Sequence, residues 1–178
     1  MIRRAVKLVE NSVLESGKRT VSIERRALEA LERAFDDGLA GPFTRAVEVI
    51  GENTGRVIVT GVGKSGHIGT KIAATFASTG TPAFFVHAAE ANHGDLGMIA
   101  GDDVVLAISK GGESAELKSI ISYTRRFSIP LIAMTCSPRS SLATAADIAL
   151  LIPNEEEACP NGLAPTTSTM MQLALGDA

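Results

Sequence analysis

Val57-Ile58-Val59-Thr60-Gly61-Val62-Gly63-Lys64-Ser65-Gly66-His67-Ile68-Gly69 passes from a β-branched run through glycines, a lysine and a serine into a helical pattern. This is the sequence form of a buried strand whose loop opens onto a helix N-terminus. Unpaired N–H groups and the helix dipole both favour negative charge at such a place. The segment 61–66 literally matches G-x-G-x-x-G, but a dinucleotide site wants an acid at the end of the next strand. That strand ends in Val86-His87, and the nearest acid, Glu90, lies further along. Lys64-Ser65 also resembles a Walker A loop, yet Ile58 stands where its first glycine belongs. Both nucleotide readings are therefore disfavoured, and the loop is left as an anion site.

Outward from this stretch the pattern repeats. Short apolar runs at 57–60, 83–86, 103–109, 130–135 and 148–152 read as strands. Helical segments follow at 67–78, 114–127 and 140–145, with a last one from 167 or 168. Val104-Val105-Leu106-Ala107-Ile108 is continuous rather than alternating, which implies burial on both faces and a parallel sheet. The fold class predicted is α/β, a doubly wound five-stranded parallel sheet preceded by an N-terminal helical segment. In that segment Ile23, Ala27, Leu28, Leu31 and Phe35 fall at helical spacing, and Val6, Val9, Val13 and Leu14 form a looser stripe. Gly38 and Gly41-Pro42 mark its end, and 51–55 reads as the last loop before the sheet. The division is thus 1–50 for the helical segment and 51–178 for the α/β domain.

Composition narrows the classes. With 178 residues, 45 % of them hydrophobic and 21 % charged, the chain is long enough for one self-sufficient core. A formal net charge of -3 argues against a nucleic-acid partner. The early basic residues Arg3, Arg4, Lys7, Lys18, Arg19, Arg25 and Arg26 alternate with Glu10, Glu15, Glu24 and Glu29, as on a solvated helix face. No window approaches the run of about 18 apolar residues that spans a bilayer, and no secretory h-region is visible. Cys136 and Cys159 lack the paired spacing of zinc or redox motifs and read as reduced, buried thiols of a cytoplasmic protein.

Ligands of parallel sheets sit beyond the carboxyl ends of the strands. The glycine- and hydroxyl-rich segments 61–66, 87–97, 109–114 and 153–168 all fall at such ends. Ser109-Lys110-Gly111-Gly112-Glu113-Ser114 fits a phosphate cradle; it also fits an ordinary turn with Ser114 as N-cap and Glu116 in the first helical turn. Glu155-Glu156-Glu157 followed by Thr166-Thr167-Ser168-Thr169 is either a third wall or an acidic turn before a well-capped helix. His87 and His93 flank Glu90, Asn92 and Asp95, and a loop histidine serves structure as readily as catalysis.

Taken together, these segments resemble the sugar-isomerase (SIS) domain of the D-arabinose-5-phosphate isomerase family. The matching motifs are 61–69, Ala77-Ser78-Thr79-Gly80-Thr81-Pro82-Ala83-Phe84-Phe85-Val86-His87, His93-Gly94-Asp95-Leu96-Gly97-Met98, Glu157-Ala158-Cys159-Pro160 and Gly162-Leu163-Ala164-Pro165-Thr166. The resemblance covers roughly residues 20–178. It implies interconversion of D-ribulose 5-phosphate and D-arabinose 5-phosphate, feeding the Kdo sugar of lipopolysaccharide, with no organic cofactor required and a homotetramer as the assembly. It places Lys64, Glu116, Glu157 and His93 among catalytic groups. Ser65, Gly80, Thr81, His93, Ser109 to Ser114, Thr166, Thr167 and Ser168 become substrate contacts, with Lys110, Gly111, Gly112 and Glu113 included. His87 falls on a position associated with inhibitory zinc.

Two departures stand out. The family loop usually reads Ser-Asn-Ser-Gly-Glu where this chain has Ser109-Lys110-Gly111-Gly112-Glu113, so a hydroxyl is lost at Gly111 and a charge gained at Lys110. In the family the last helix continues past the position of Gly176-Asp177-Ala178, toward a His-Pro-Gly-Gly segment with a further histidine and a frequent pair of CBS domains; these 178 residues hold none of them. The isomerisation expected moves a proton between C1 and C2 through a cis-enediol. It needs a carboxylate base made stronger by partial burial, Glu157 or Glu116, and Lys64 to stabilise the enediolate. His93 would assist ring opening or hydroxyl proton transfer. The alternative is a phosphosugar-binding or regulatory module of the same fold without turnover, or an isomerase of another sugar phosphate.

Overall fold

A computed structural model describes residues 10–178. Val57–Gly61 (β1), Ala83–His87 (β2), Val104–Ile108 (β3), Leu131–Thr135 (β4) and Ile148–Leu151 (β5) pair in parallel as one sheet, in the order β2-β1-β3-β4-β5. Every residue of β1, β3 and β4 is buried, which is why their sequences do not alternate.

The helices are Glu10–Ala34 (α1), Ala40–Glu52 (α2), Gly63–Ser78 (α3), Ala88–Ala91 (α4), Leu117–Phe127 (α5), Ser141–Ala145 (α6) and Thr167–Asp177 (α7). Val57, Val59, Leu106, Ile108 and Met134 face one layer, where Leu31 of α1, Ala46 of α2, Ile72 of α3 and Met171 of α7 close the core. The alternate residues Ile58, Val105, Ala107 and Ala133 face the other, against Ala91 of α4, Ile120 of α5 and Leu142 of α6. The connection after β1 therefore goes to one face and that after β3 to the other. The two strands are neighbours, with Gly61 in register with Ile108, so a crevice opens between the helix starts that follow them. Gly61 itself has to be glycine: a Cβ there would lie 2.9 Å from the Ile108 carbonyl oxygen.

Element boundaries differ from the sequence reading in instructive places. α3 begins at Gly63 rather than at 67, so Lys64 and Ser65 lie in its first turn and not in a loop. α5 begins at Leu117 rather than near 114, and Glu116, not Ser114, occupies the N-cap position. Gly41-Pro42 do not end a helix but sit in the first turn of α2, where proline's missing N–H costs little. Val13 and Leu14 are exposed rather than core, and Val6 and Val9 lie outside the described residues. The solvated basic face is as expected for Lys18, paired with Glu15, and Arg25, paired with Glu29; Arg3, Arg4 and Lys7 lie outside the described residues. Arg19 differs, donating 3.0 Å to the Ala158 carbonyl. Both cysteines are free and half-buried. Among the described residues no helix is long and apolar enough to cross a membrane.

Candidate active site

The three loops leaving β1, β3 and β5 meet at the carboxyl edge of the sheet. The β3–α5 loop is tied down at several points. Gly112 N donates to Ser109 Oγ at 3.1 Å, and the Ser109 and Ser114 hydroxyls are 3.2 Å apart. The Lys110 carbonyl accepts from Cys136 N and from Thr135 Oγ1, each at 2.9 Å, which ties the loop to the end of β4. Gly112 has φ 67°, and a Cβ there would lie 2.1 Å from Ser140 Oγ. The loop thus lies flat on the start of α6, with Ser109, Ser114 and the α5 N-terminus arranged as an anion cradle. Ser114 differs from its expected capping role because its hydroxyl pairs with Ser109. Glu113, expected at the substrate, is committed to α6 instead: its carboxylate accepts from Ser141 N at 2.6 Å and Ser141 Oγ at 2.7 Å. Those two donors hold its pKa below the usual carboxylate value.

Glu157 crosses from the β5–α7 loop to this cradle. Its Oε1 is 2.6 Å from Lys110 Nζ, while Oε2 accepts from Thr166 N at 2.8 Å, Thr166 Oγ1 at 3.2 Å and Ser168 N at 3.3 Å. Burial raises the carboxyl's pKa, but the Lys110 ammonium and the Ser168 and Thr166 donors outweigh it and push the group down to about 2. The expectation that burial strengthens Glu157 as a base is thereby reversed in this arrangement. The two threonine hydroxyls of the same segment are also spent inward. Ala158 N donates to both Thr166 Oγ1 and Thr167 Oγ1 at 3.0 Å, and Thr167 and Ser168 are fully buried. Thr167 therefore holds the α7 start through its hydroxyl and Ser168 through its backbone N–H, while the Ser168 hydroxyl is buried without a hydrogen-bond partner among the described residues.

Lys64 is exposed on the first turn of α3 and, among the described residues, makes no ion pair or hydrogen bond through its side chain. Ser65 beside it is half-buried. Glu116 is half-buried at the head of α5, likewise without a side-chain partner among the described residues. His87 ends β2, and its Nδ1 accepts from Ala89 N at 3.2 Å, capping the short α4. His93 follows α4, exposed, with no contact joining its ring to Lys64, Glu116 or Glu157. Gly80 and Thr81 do not reach the cradle at all. α3 runs back along the sheet for 16 residues, a length of about 24 Å. The turn after it thus falls at the strand starts, where the neighbouring Pro82 carbonyl accepts from Val57 N. Among the described residues no group of three or more His, Cys, Asp and Glu is placed to hold a metal ion.

Sequence reasoning passed over the end of β4. Thr135 and Cys136 fix the Lys110 backbone, and Ser140 underlies Gly112. The signal was present: Thr135-Cys136-Ser137 is another hydroxyl-bearing segment at a strand's carboxyl end. Arg19, anchoring Ala158 from α1, carried no such signal.

A doubly wound parallel sheet with hydroxyl-rich loops, carboxylates and lysines gathered at the carboxyl edge around its switch point defines a class of α/β ligand-binding domain. Residues 52–178 match the SIS domain model, and the chain belongs to the SIS-domain family. It is 54 % identical over 164 residues to arabinose 5-phosphate isomerase KdsD of Yersinia pestis, and 51 % identical over 164 residues to KdsD of Escherichia coli K12. In each case the match covers 92 % of this chain and 49 % of the relative, so the chain spans about half the length of these curated relatives. Among solved structures, E. coli CFT073 c3406 in complex with A5P superposes with a TM-score of 0.87 at 43 % identity, covering 96 % of this chain and 88 % of that one.

Proposed function

We propose that the chain is an aldose–ketose isomerase that interconverts D-ribulose 5-phosphate and D-arabinose 5-phosphate through a cis-enediol. One observation supports the reading: the Ser109–Gly112–Ser114 loop leaves β3 beside β1, Lys64 and Glu116 begin the helices that follow these two strands with no side-chain partner among the described residues, and the chain is 54 % identical to a KdsD isomerase. The cradle amides and hydroxyls hold the phosphate and fix the sugar chain. Glu116, half-buried and unengaged, takes the C1 or C2 proton as base. Lys64 stabilises the charge that develops on the enediolate oxygen. His93 serves ring opening or hydroxyl proton transfer. No organic cofactor is needed for this chemistry. A cytoplasmic homotetramer working toward Kdo and lipopolysaccharide completes the reading.

A second reading, a SIS module that binds a phosphosugar without turnover, is favoured by one feature: the Glu157 carboxylate is fully engaged by four donors. Incubation of the chain with ribulose 5-phosphate separates the two. Accumulation of arabinose 5-phosphate supports the isomerase; binding without conversion selects the module. Turnover of another sugar phosphate keeps the enzyme class and changes the substrate.

A further inference from the structure

The two oxygens of Glu157 are held unequally. Oε2 has three donors, all from the start of α7, whereas Oε1 has, among the described residues, only the Lys110 ammonium. Withdrawal of Lys110 therefore leaves the carboxylate in place with one oxygen free and aimed at the cradle loop. Lys110 is built for such a withdrawal. Its carbonyl is pinned by Thr135 and Cys136, so its backbone is fixed, while its side chain is 38 % exposed. It is also part of the loop whose Ser109, Gly112 and Ser114 form the anion cradle.

We propose that Lys110 is a counter-ion shared between the Glu157 carboxylate and the phosphate of a phosphosugar seated on the loop 109–114, so that phosphate binding draws the ammonium away and frees Glu157 Oε1 to accept a proton. The inference rests on the phosphosugar reading above and adds a positioning role for a residue outside the reacting atoms. A phosphate monoester carries about 1.5–2 negative charges near neutral pH against one on the carboxylate, so it outcompetes Glu157 for the lysine. The release is local, because every other group facing Glu157 stays where it is. From α7 these are the Thr166 and Ser168 donors. From the end of β4 it is the Cys136 thiol, pushed up by burial and so kept neutral. From α1 it is Arg19, bound to the Ala158 carbonyl; Glu155 and Glu156 are exposed on the loop itself.

The test follows the Glu157 carboxylate carbon by NMR in the full chain across acid pH, with and without inorganic sulfate, a tetrahedral dianion that keeps its double charge in acid where phosphate does not, in wild type, Lys110→Gln and Lys110→Arg. Sulfate is expected to perturb the Gly112 and Ser114 amides and to raise the Glu157 midpoint by about one pH unit or more in wild type. Lys110→Gln starts at the raised midpoint and does not respond, and Lys110→Arg behaves as wild type. A perturbed loop with an unmoved Glu157 midpoint overturns the proposal, as does a loop that sulfate leaves untouched. An equal response in Lys110→Gln overturns it too. Should that variant fail to fold, the wild-type sulfate arm decides alone. Turnover of ribulose 5-phosphate is measured separately. Turnover with an unmoved Glu157 removes only the Lys110 role, and a responding Glu157 without turnover removes only the isomerase reading.

Discussion

Lys110 Nζ and Glu157 Oε1 stand 2.6 Å apart although 47 residues separate them in sequence. The pair joins the β3–α5 loop to the β5–α7 loop across the carboxyl edge of the sheet. It sets the charge of the site as well as its shape, because the same ammonium that bridges the loops helps the Ser168 and Thr166 donors hold the Glu157 carboxyl below its usual pKa.

Removing the charge at Glu157 tests both roles at once. Glu157→Gln keeps the Thr166 and Ser168 amide bonds but leaves Lys110 without its counter-charge. Stability is expected to fall by about 1–3 kcal/mol, and isomerase turnover by about a hundredfold or more. Thermal unfolding read beside the initial rate separates the two. An unchanged rate in a folded variant excludes Glu157 from proton transfer.

Acid should weaken the fold through the same group. Glu157 has a native pKa depressed from 4.5 to about 2, so its contribution is complete above the unfolded value and is lost as pH falls from about 4.5 to 2. The size is on the order of 2 kcal/mol after allowance for screening. Denaturant unfolding at pH 6 and pH 3 should show rather more than half of this loss, and Glu157→Gln should show less of it. Equal acid sensitivity in the two proteins would assign the loss to other carboxylates.

The parallel sheet was legible because Val104 to Ile108 has no polar break, and only burial on both faces produces such a run. The three-loop site was legible from topology alone, since hydroxyl-rich segments collect at strand ends. What escaped depended on partners distant in sequence. Glycines at 61, 63 and 66 looked like a loop, yet Gly61 lies against the Ile108 carbonyl, Gly66 lies against Gly61, and the helix already begins at Gly63. Ser114 looked like an N-cap, but the Ser109 hydroxyl competes for it. Burial of Glu157 suggested a stronger base, and only the three-dimensional placement of Lys110 and of the Ser168 and Thr166 donors reverses the sign. Gly80 and Thr81 belonged to a matching motif, while the length of α3 carries them to the opposite edge.

Adjacent glycines in the cradle loop should respond in opposite ways. A Cβ at Gly111 meets nothing within 4 Å, whereas at Gly112 it strikes Ser140 Oγ with φ already at 67°. Gly111→Ser should change stability by no more than about 0.5 kcal/mol, and its hydroxyl should tighten phosphosugar binding. Gly112→Ala should cost about 1–3 kcal/mol and raise KM by displacing the loop. Melting temperature and KM for both variants check the contrast, and a silent Gly112→Ala would contradict the packing described for this loop.

Lys64 offers the cleanest separation of chemistry from stability. It is exposed and engages no other side chain among the described residues, so Lys64→Met should alter stability by about 0.5 kcal/mol at most. Loss of enediolate stabilisation should lower kcat by about 10²–10³ with little change in KM. A rise in KM at constant kcat would instead make Lys64 a phosphate-binding group.

The reverse separation is expected at the far edge of the sheet. Asp103 is buried at the start of β3 and takes Arg56 N at 2.8 Å, Arg56 Nε at 2.9 Å, a terminal guanidinium nitrogen at 2.7 Å and Ala100 N at 2.8 Å. Burial alone would raise its pKa, but the Arg56 guanidinium and these amides hold it below the usual carboxylate value. Asp103→Ala strands two backbone N–H groups and an arginine whose side chain is 40 % exposed. The loss should be about 3 kcal/mol, or roughly 6–12 °C in Tm for a chain of this size. Because β1 and β3 begin at this edge and deliver their loops at the other, kcat and KM below the unfolding transition should be unchanged. A kcat lowered tenfold in still-folded Asp103→Ala would show that the strand starts govern the cradle, and the two edges would then no longer be separable.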